Sequence, residues 1–206
     1  GNYDARNILL LEEGLLLISF DSIWLSFANT IKEHVYISAP VIRKGEYFAG
    51  VYVAKSNEHK YNIRNLADLQ TLSIVSSKNW PVDWYTLTRI QPKKLIHKNE
   101  WLTMAKLVHL GWVDAILSPF TTTPPFTLQG KNYSLVAIKD IKVALDDSRH
   151  FIVSKKHPHG QAAFIALQKG LKILREQGVI EKAYKQSGFL NDHVNDWHVI
   201  NKTLIE

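Results

Sequence analysis

The chain of 206 residues contains no cysteine. Disulfide frameworks, cysteine-ligated zinc and thiol catalysis are therefore excluded. A cysteine-free chain is compatible with an oxidising compartment without requiring one. The longest apolar run lies near Leu15–Phe20, far short of the ~20 residues that a membrane-spanning helix needs. Internal repeats and low-complexity tracts are absent from the sequence. So are the Gly-x-Gly-x-x-Gly and Walker-type phosphate loops, His-Glu-x-x-His, Gly-x-Ser-x-Gly and Ser-x-x-Lys, which weighs against common nucleotide enzymes and hydrolases. The start, Gly1-Asn2-Tyr3-Asp4, has no basic stretch and no cleavage site. It reads as a chain whose leader has already been cut away.

What is present is ordinary globular composition. Apolar residues are 46% and charged residues 21%, which excludes disordered and collagen-like chains. The length suggests one to two domains with a core large enough to need no staple. The formal charge is +6, and it is unevenly spread. Residues 1–59 carry net −2, residues 60–142 net +6 and residues 143–206 net +2. A field of one sign on one part of the chain steers oppositely charged ligands, although a solvated basic face explains the same numbers. The lysines and arginines form no recognition-helix cluster, so nucleic acid is not an expected partner.

Residues 5–13 read as a helix stopped by Gly14, followed by a buried apolar strand at 15–19. Strands are also expected at 35–37 and 47–54. The centre is clearest. Strands at 72–76, 94–97 and 113–117 alternate with helices at 79–89, capped by Asn79, and from Asn99 to Gly111. The second helix has the buried stripe Trp101, Met104, Ala105 and Val108. That β-α-β-α-β order is the pattern of a parallel sheet with right-handed crossovers. Thr121–Pro125 reads as a loop, residues 135–138 and 150–154 as strands, and 161–177, 179–187 and 191–201 as helices.

Two clusters invite a metal reading. Asp192, His193, Asp196 and His198 fit a solvated helix end equally well, and His157 and His159 fit a turn, so no metal is expected. The triplets at Asn132 and Asn201 match glycosylation sequons, which are frequent by chance. The stretch Ser76-Ser77-Lys78-Asn79-Trp80 is more informative. It follows a strand and opens a helix, where free N–H groups and the helix dipole favour an anion. Open α/β sheets also place ligands outside the carboxyl ends of their strands. Ser118-Pro119-Phe120-Thr121 follows another strand of the same unit in the same way. Trp80 lies in the first helical turn, while Trp84 reads as core. Asp83 complements the dipole.

The order of these elements resembles a known family. Gly14 precedes an apolar strand; then come Tyr36-Ile37-Ser38-Ala39-Pro40, Gly50-Val51-Tyr52-Val53 and Asn65-Leu66-Ala67-Asp68-Leu69. Next are the strand and serine-rich turn, then Gly111-Trp112-Val113-Asp114-Ala115-Ile116-Leu117. The chain closes with Ala166-Leu167, Gly170-Leu171, Leu174-Arg175, Gly178, Ile180, Tyr184 and Gly188-Phe189. This resembles the type II periplasmic solute-binding proteins, of the amino-acid type (family three), from about residue 6 onward. The resemblance implies an α/β fold of two lobes, each a doubly wound sheet. One lobe would be 1–58 plus 143–206 and the other the inserted 59–142. A small-molecule ligand would lie in the cleft and favour a closed form.

Three departures from the family accompany the resemblance. The arginine that clamps a ligand carboxylate is missing from Ala54-Lys55-Ser56-Asn57-Glu58. The aspartate that holds an α-amino group is replaced by Ser118 or Pro119. An ordinary α-amino acid is therefore not the expected ligand. The family also begins with a strand, a helix and another strand before the Gly14-type turn, and this chain has at most the helix. Its first lobe is thus expected without its N-terminal strands, and self-association is one way to cover the exposed edge.

Carried onto this sequence, the ligand-facing positions are Phe20, Asp21 and Ser22, then Ser76, Ser77 and Lys78, then Pro119, Phe120 and Thr121. Chemistry adds Trp24, Trp80 and Arg149, the last able to grip an anion bidentately or to pair with Asp146 or Asp147. The expected function is non-enzymatic capture of a small polar or anionic ligand, without a cofactor, in a periplasmic or secreted setting. It would serve a membrane transporter or sensor. One alternative is the effector-sensing domain of a regulator or sensor kinase. A weaker one is an enzyme on the same fold, with Asp21 or Asp83 as its acid.

Overall fold

A computed structural model of the chain describes residues 3–205. In chain order the elements are α1 (Tyr3–Glu12), β1 (Ile23–Trp24), α2 (Leu25–Ala28), β2 (Val35–Ile42), β3 (Phe48–Ala54), α3 (Leu66–Gln70), β4 (Ser73–Ser76), α4 (Pro81–Ile90) and β5 (Lys94–His97). They continue with α5 (Trp101–His109), β6 (Ala115–Pro119), β7 (Thr127–Gly130), β8 (Tyr133–Ala137), β9 (Ile141–Ala144), β10 (Arg149–Ser154), α6 (Gly160–Glu176), α7 (Val179–Gln186), β11 (His198–Val199) and α8 (Lys202–Ile205). The chain divides into two compact units. Unit 1 is Gly1–Glu46 with Asp147–Ala183, and unit 2 is Tyr47–Asp146 with Tyr184–Glu206.

Unit 2 is built on a sheet in the order β11-β9-β3-β6-β4-β5, with β8 also on β3 and β7 on β8. The β4, β5 and β6 strands run parallel, and β3 runs antiparallel to β6, β8 and β9. Those pairings, with β11 parallel to β9, explain why residues 47–58, 143–146 and the segment from Tyr184 onward, expected with the first lobe, fall in unit 2. The sheet is buried on both faces, so its strands read as near-continuous apolar runs. Val51, Val53, Ile74 and Leu117 pack on one face. Their neighbours Tyr52, Val75 and Ile116 pack on the other, with Met104, Ala105 and Val108 of α5, as the period of two requires.

Local signals set the ends of these elements. Asn65 and Asp68 close a capping box on α3, reciprocally satisfying two free N–H groups. Gly111 ends the α5 turn at φ 71°, a conformation glycine reaches without a Cβ clash. The start of α4 differs from expectation: Trp80, not Asn79, is its N-cap, no side chain caps it, and Pro81 occupies the first turn. At the amino ends of the strands, Asp114 accepts from the Ser73 N–H and hydroxyl (2.8 and 2.6 Å) and from the Tyr61 hydroxyl at 3.1 Å. Burial, with Asp114 beside it, pushes the Tyr61 phenol up to about 12.

The final segment corrects the sequence reading. Residues 191–201, expected as a helix, form a 3-10 turn at Asp192–Val194 and then β11, which pairs in parallel with β9. Asn191 caps the turn through His193 N–H, and Asn201 holds the Ala144 N–H and carbonyl (2.9 and 3.0 Å). Those pairings are long-range, and helical periodicity cannot announce them.

Unit 1 contains a three-stranded antiparallel sheet, β1-β10-β2. Leu11, Ala28, Val35 and Ile152 form its core, and α6 crosses β2 and β10. Pro40 masks the length of β2, which was expected only to Ile37; proline is tolerated on an edge strand because its missing N–H costs no ladder bond there. The buried strand expected at 15–19 is instead a single bridge, Ile18 to Val153, and Leu15 is 76% exposed.

Candidate functional site

The carboxyl ends of β4, β5 and β6 gather the candidates of unit 2. Ser76 and Ser77 are buried and Lys78 is exposed. The Ser77 hydroxyl accepts from Asn79 N–H at 3.2 Å, and its carbonyl accepts from Trp80 N–H at 3.0 Å. This fixes the turn that leads into α4. Lys78 N–H donates to His97 Nδ1 at 3.2 Å, so a neutral His97 carries its proton on Nε2. The Lys78 ammonium lies 5.5 Å from the Trp84 ring centroid, and Trp84 meets His97 edge-on at 5.8 Å.

Trp80 is half-buried beside this turn. Its ring centroid is 6.4 Å from that of Trp101, which in turn meets Tyr133 at 6.2 Å. The end of the parallel sheet is therefore lined by indoles and a phenol around a lysine and a helix start. Asp83 lies in the first turn of α4. Burial pushes its carboxyl up to about 6, with a hydrogen bond from its own backbone N–H opposing.

The loop after β6 divides its candidates. Pro119 is exposed, and its carbonyl accepts from the Tyr52 hydroxyl at 3.0 Å. Thr121 offers its carbonyl to Asn191 Nδ2 at 2.7 Å. Phe120, expected to face a ligand, is 6% exposed and turns into the core. Its ring packs on Phe126 at 5.0 Å and Trp197 at 5.4 Å. The reason is Gly50: a Cβ there would stand 2.7 Å from the Phe120 ring, so the missing side chain makes room for the phenyl.

In unit 1, Asp21, Ser22, Trp24 and Arg149 come together. Arg149 Nη2 donates to the Ser22 carbonyl and stands 3.5 Å from Asp21 Oδ2. Its guanidinium lies 5.3 Å from the Trp24 ring centroid. Asp21 also accepts from Ser22 N–H at 2.7 Å. Asp147, one of the two carboxylates weighed as a partner for Arg149, takes the Ser26 hydroxyl at 2.7 Å, and Asp146 stands 3.7 Å from Arg89. Phe20 is 77% exposed.

The sequence reading missed His97, and it read Trp84 as core. The register could have signalled His97, since it is the last residue of β5 opposite Ser76. Among the described residues no group of three metal-ligating side chains stands together. Asp192 instead pairs with Lys185 at 2.9 Å, which holds its carboxyl below the usual range.

With this geometry in hand, known proteins supply a comparison. No protein-family model matches the sequence, and no curated protein does so at comparable significance. Solved structures do match. The probable amino-acid ABC transporter extracellular-binding protein ytmK of Bacillus subtilis is 14% identical with a TM-score of 0.61, covering 90% of this chain and 76% of its own. An amino-acid ABC transporter substrate-binding protein of Streptococcus pneumoniae, bound to L-arginine, is 17% identical with a TM-score of 0.58, covering 89% and 72%. The ancestral amino-acid-binding protein AncCDT-1, a precursor of cyclohexadienyl dehydratase, is 18% identical with a TM-score of 0.53, covering 87% and 72%. The fold is therefore the one these neighbours share, that of the type II periplasmic binding proteins.

Proposed function

We propose that this chain is a solute-binding protein that captures a small polar or anionic molecule. The observation that carries the reading is the grouping of Ser77, Lys78 and Trp80 at the start of α4, with Trp84, His97 and Trp101 around them. The positive end of the α4 dipole and the Lys78 ammonium attract an anion, and the indole faces suit a ring. In unit 1 the proposed contacts are Phe20, Asp21, Ser22, Trp24 and Arg149. Setting this beside neighbours whose names are substrate-binding and extracellular-binding proteins extends the reading to a transporter or membrane sensor as partner, and to a periplasmic or extracellular place. No described helix is long and apolar enough to cross a membrane. Equilibrium dialysis against a mixed pool of small metabolites, read by mass spectrometry, tests the reading. Retention of one anionic or polar solute, lost in Lys78→Ala, is expected; retention of none contradicts it.

A second reading rests on Asp83. A carboxyl that titrates near 6 beside a ligand site has the proton affinity of a general acid or base, and one neighbour is named a precursor of a dehydratase. Turnover of a bound solute that disappears in Asp83→Asn would favour it; a solute recovered unchanged after prolonged incubation would remove it.

A further inference from the structure

The turn that opens α4 is tied to a neighbouring strand through one side chain. Inside the turn, Asn79 N–H donates to Ser77 Oγ and Trp80 N–H to the Ser77 carbonyl. Lys78 N–H donates across to His97 Nδ1 on β5, at 3.2 Å. His97 is the last residue of β5 and pairs with Ser76, the last of β4. The ladder runs on past it, since Lys98 N–H donates to the Ser76 carbonyl at 3.0 Å. The two strand ends are thus locked together, and the imidazole reaches from one to the turn that leaves the other. Its ring meets Trp84 edge-on, at 5.8 Å and 85°, which sets the plane of the ring. His97 is exposed, so protons reach it.

An imidazole accepts at Nδ1 only while it is neutral. Protonated, it carries an N–H on both nitrogens, and turning the ring over presents the same kind of group. Lys78 N–H then faces a donor. A positive ring also stands against the indole over which the Lys78 ammonium lies, 5.5 Å from its centroid. Both changes act to part Lys78 from β5.

We propose that His97 is the positioning residue of this turn, holding Lys78 and Trp80 in place while neutral and releasing them when protonated. Solute capture then weakens as pH falls through the imidazole range, about 8 to 5. That consequence rests on reading the turn as the solute site; the hold on Lys78 does not. An anionic solute attracts an imidazolium too, but between exposed charges that gain is small. The other charged groups on the elements around the ring are Lys98, next to it in the chain, Glu100 at the start of α5 and Asp83 in the first turn of α4. Asp83 changes charge in part of the same range, so it needs its own control.

Amide resonances of the protein without added solute carry the test. The Lys78 amide signal is expected to move with the His97 ring signals between about pH 8 and 5. Its protection against exchange is expected to drop about tenfold, the worth of one hydrogen bond. His97→Ala is expected to show the low protection at every pH. His97→Asn, whose side-chain oxygen can stand where Nδ1 stands but does not titrate, is expected to keep the amide protected throughout. Asp83→Asn is expected to leave the parent's profile in place. Circular dichroism confirms that each variant is folded. A Lys78 amide indifferent to pH overturns the proposal. So does a profile abolished by Asp83→Asn, or His97→Asn protecting no better than His97→Ala. Dialysis against the mixed metabolite pool at about pH 8 and 5 reads the consequence. Retention that is weaker in acid for the parent and equal at both values for His97→Asn is expected. Equal retention by the parent overturns the control of capture. Retention of nothing at either pH removes the solute reading instead, and the Lys78 amide still decides the role of His97.

Discussion

Arg149 and Trp24 stand directly opposite each other across β10 and β1, with the guanidinium 5.3 Å from the indole centroid. The same guanidinium holds the Ser22 carbonyl and approaches Asp21. One side chain thus orders the whole turn from Asp21 to Trp24. The ion pair adds little by itself, because Asp21 is well exposed; the ring face and the carbonyl matter more. Arg149→Ala and Trp24→Ala, combined in a double-mutant cycle, should show a coupling of about 0.5–1 kcal/mol in urea unfolding. Additive effects would mean that the ring and the cation do not interact.

Asp83 predicts a pH dependence of stability. Its carboxyl is raised from 3.8 to about 6 in the folded chain. Below about pH 4 both folded and unfolded chains hold the proton, and no stability is lost. As pH rises through 4 to 6 the unfolded chain gives up its proton first, so the folded state loses stability; above about 6 the loss is constant. Asp83→Asn should therefore stabilise the protein by ~1–2 kcal/mol at neutral pH, a figure reduced for the part of the side chain that is exposed. It should change nothing below about pH 4. Urea midpoints of both proteins across that range decide it.

The C-terminal segment is held to unit 2 by two buried side chains. The Lys142 ammonium donates to the Val194 and Asn195 carbonyls (2.6 and 2.9 Å) and lies 4.3 Å from the Phe48 ring centroid; burial pushes its pKa below the usual lysine value. Asn201→Ala removes both bonds to Ala144 and leaves that N–H and carbonyl unpaired in the core, at a cost of ~2–3 kcal/mol. Hydrogen exchange should speed up at residues 198–201 before the rest of unit 2. Uniform protection after the substitution would show that this segment is held by other means.

Two glycines of α6 should respond in opposite directions. A Cβ on Gly160 would overlap the Ser154 carbonyl oxygen, whereas one on Gly170 meets nothing within 4 Å. Gly170→Ala should stabilise by up to ~1 kcal/mol through helix propensity. Gly160→Ala should destabilise by more than that, because a backbone oxygen cannot rotate out of the way. Thermal melts of the two variants side by side give the comparison.

Which parts were legible follows from where the information lies. The parallel run β4-α4-β5-α5-β6 was visible because its periods, caps and turns are local. Met104, Ala105 and Val108 are fully buried as their spacing requires, while the stripe's Trp101 is only partly so. β9 escaped notice because Lys142 interrupts a four-residue run whose members are all buried, and only the two carbonyls facing its ammonium explain that lysine. Phe120 was assigned to the ligand side by position alone; the space that draws it inward is made by Gly50, seventy residues earlier in the chain. The turn at Ser76–Trp80 was readable as a helix start, but the company of Trp84, His97 and Trp101 depends on strand order.

Solute binding at the Ser77–Trp80 turn of unit 2 should be visible to the indoles beside it. Titrating the solute retained in dialysis while following tryptophan emission tests it most directly, because Trp80, Trp84 and Trp101 surround the turn. A saturable emission change that Trp80→Phe diminishes is expected, with an affinity lowered at least tenfold by Lys78→Ala and both variants melting as the parent does. Saturable binding left intact by both substitutions, or no emission change with any solute, would contradict it.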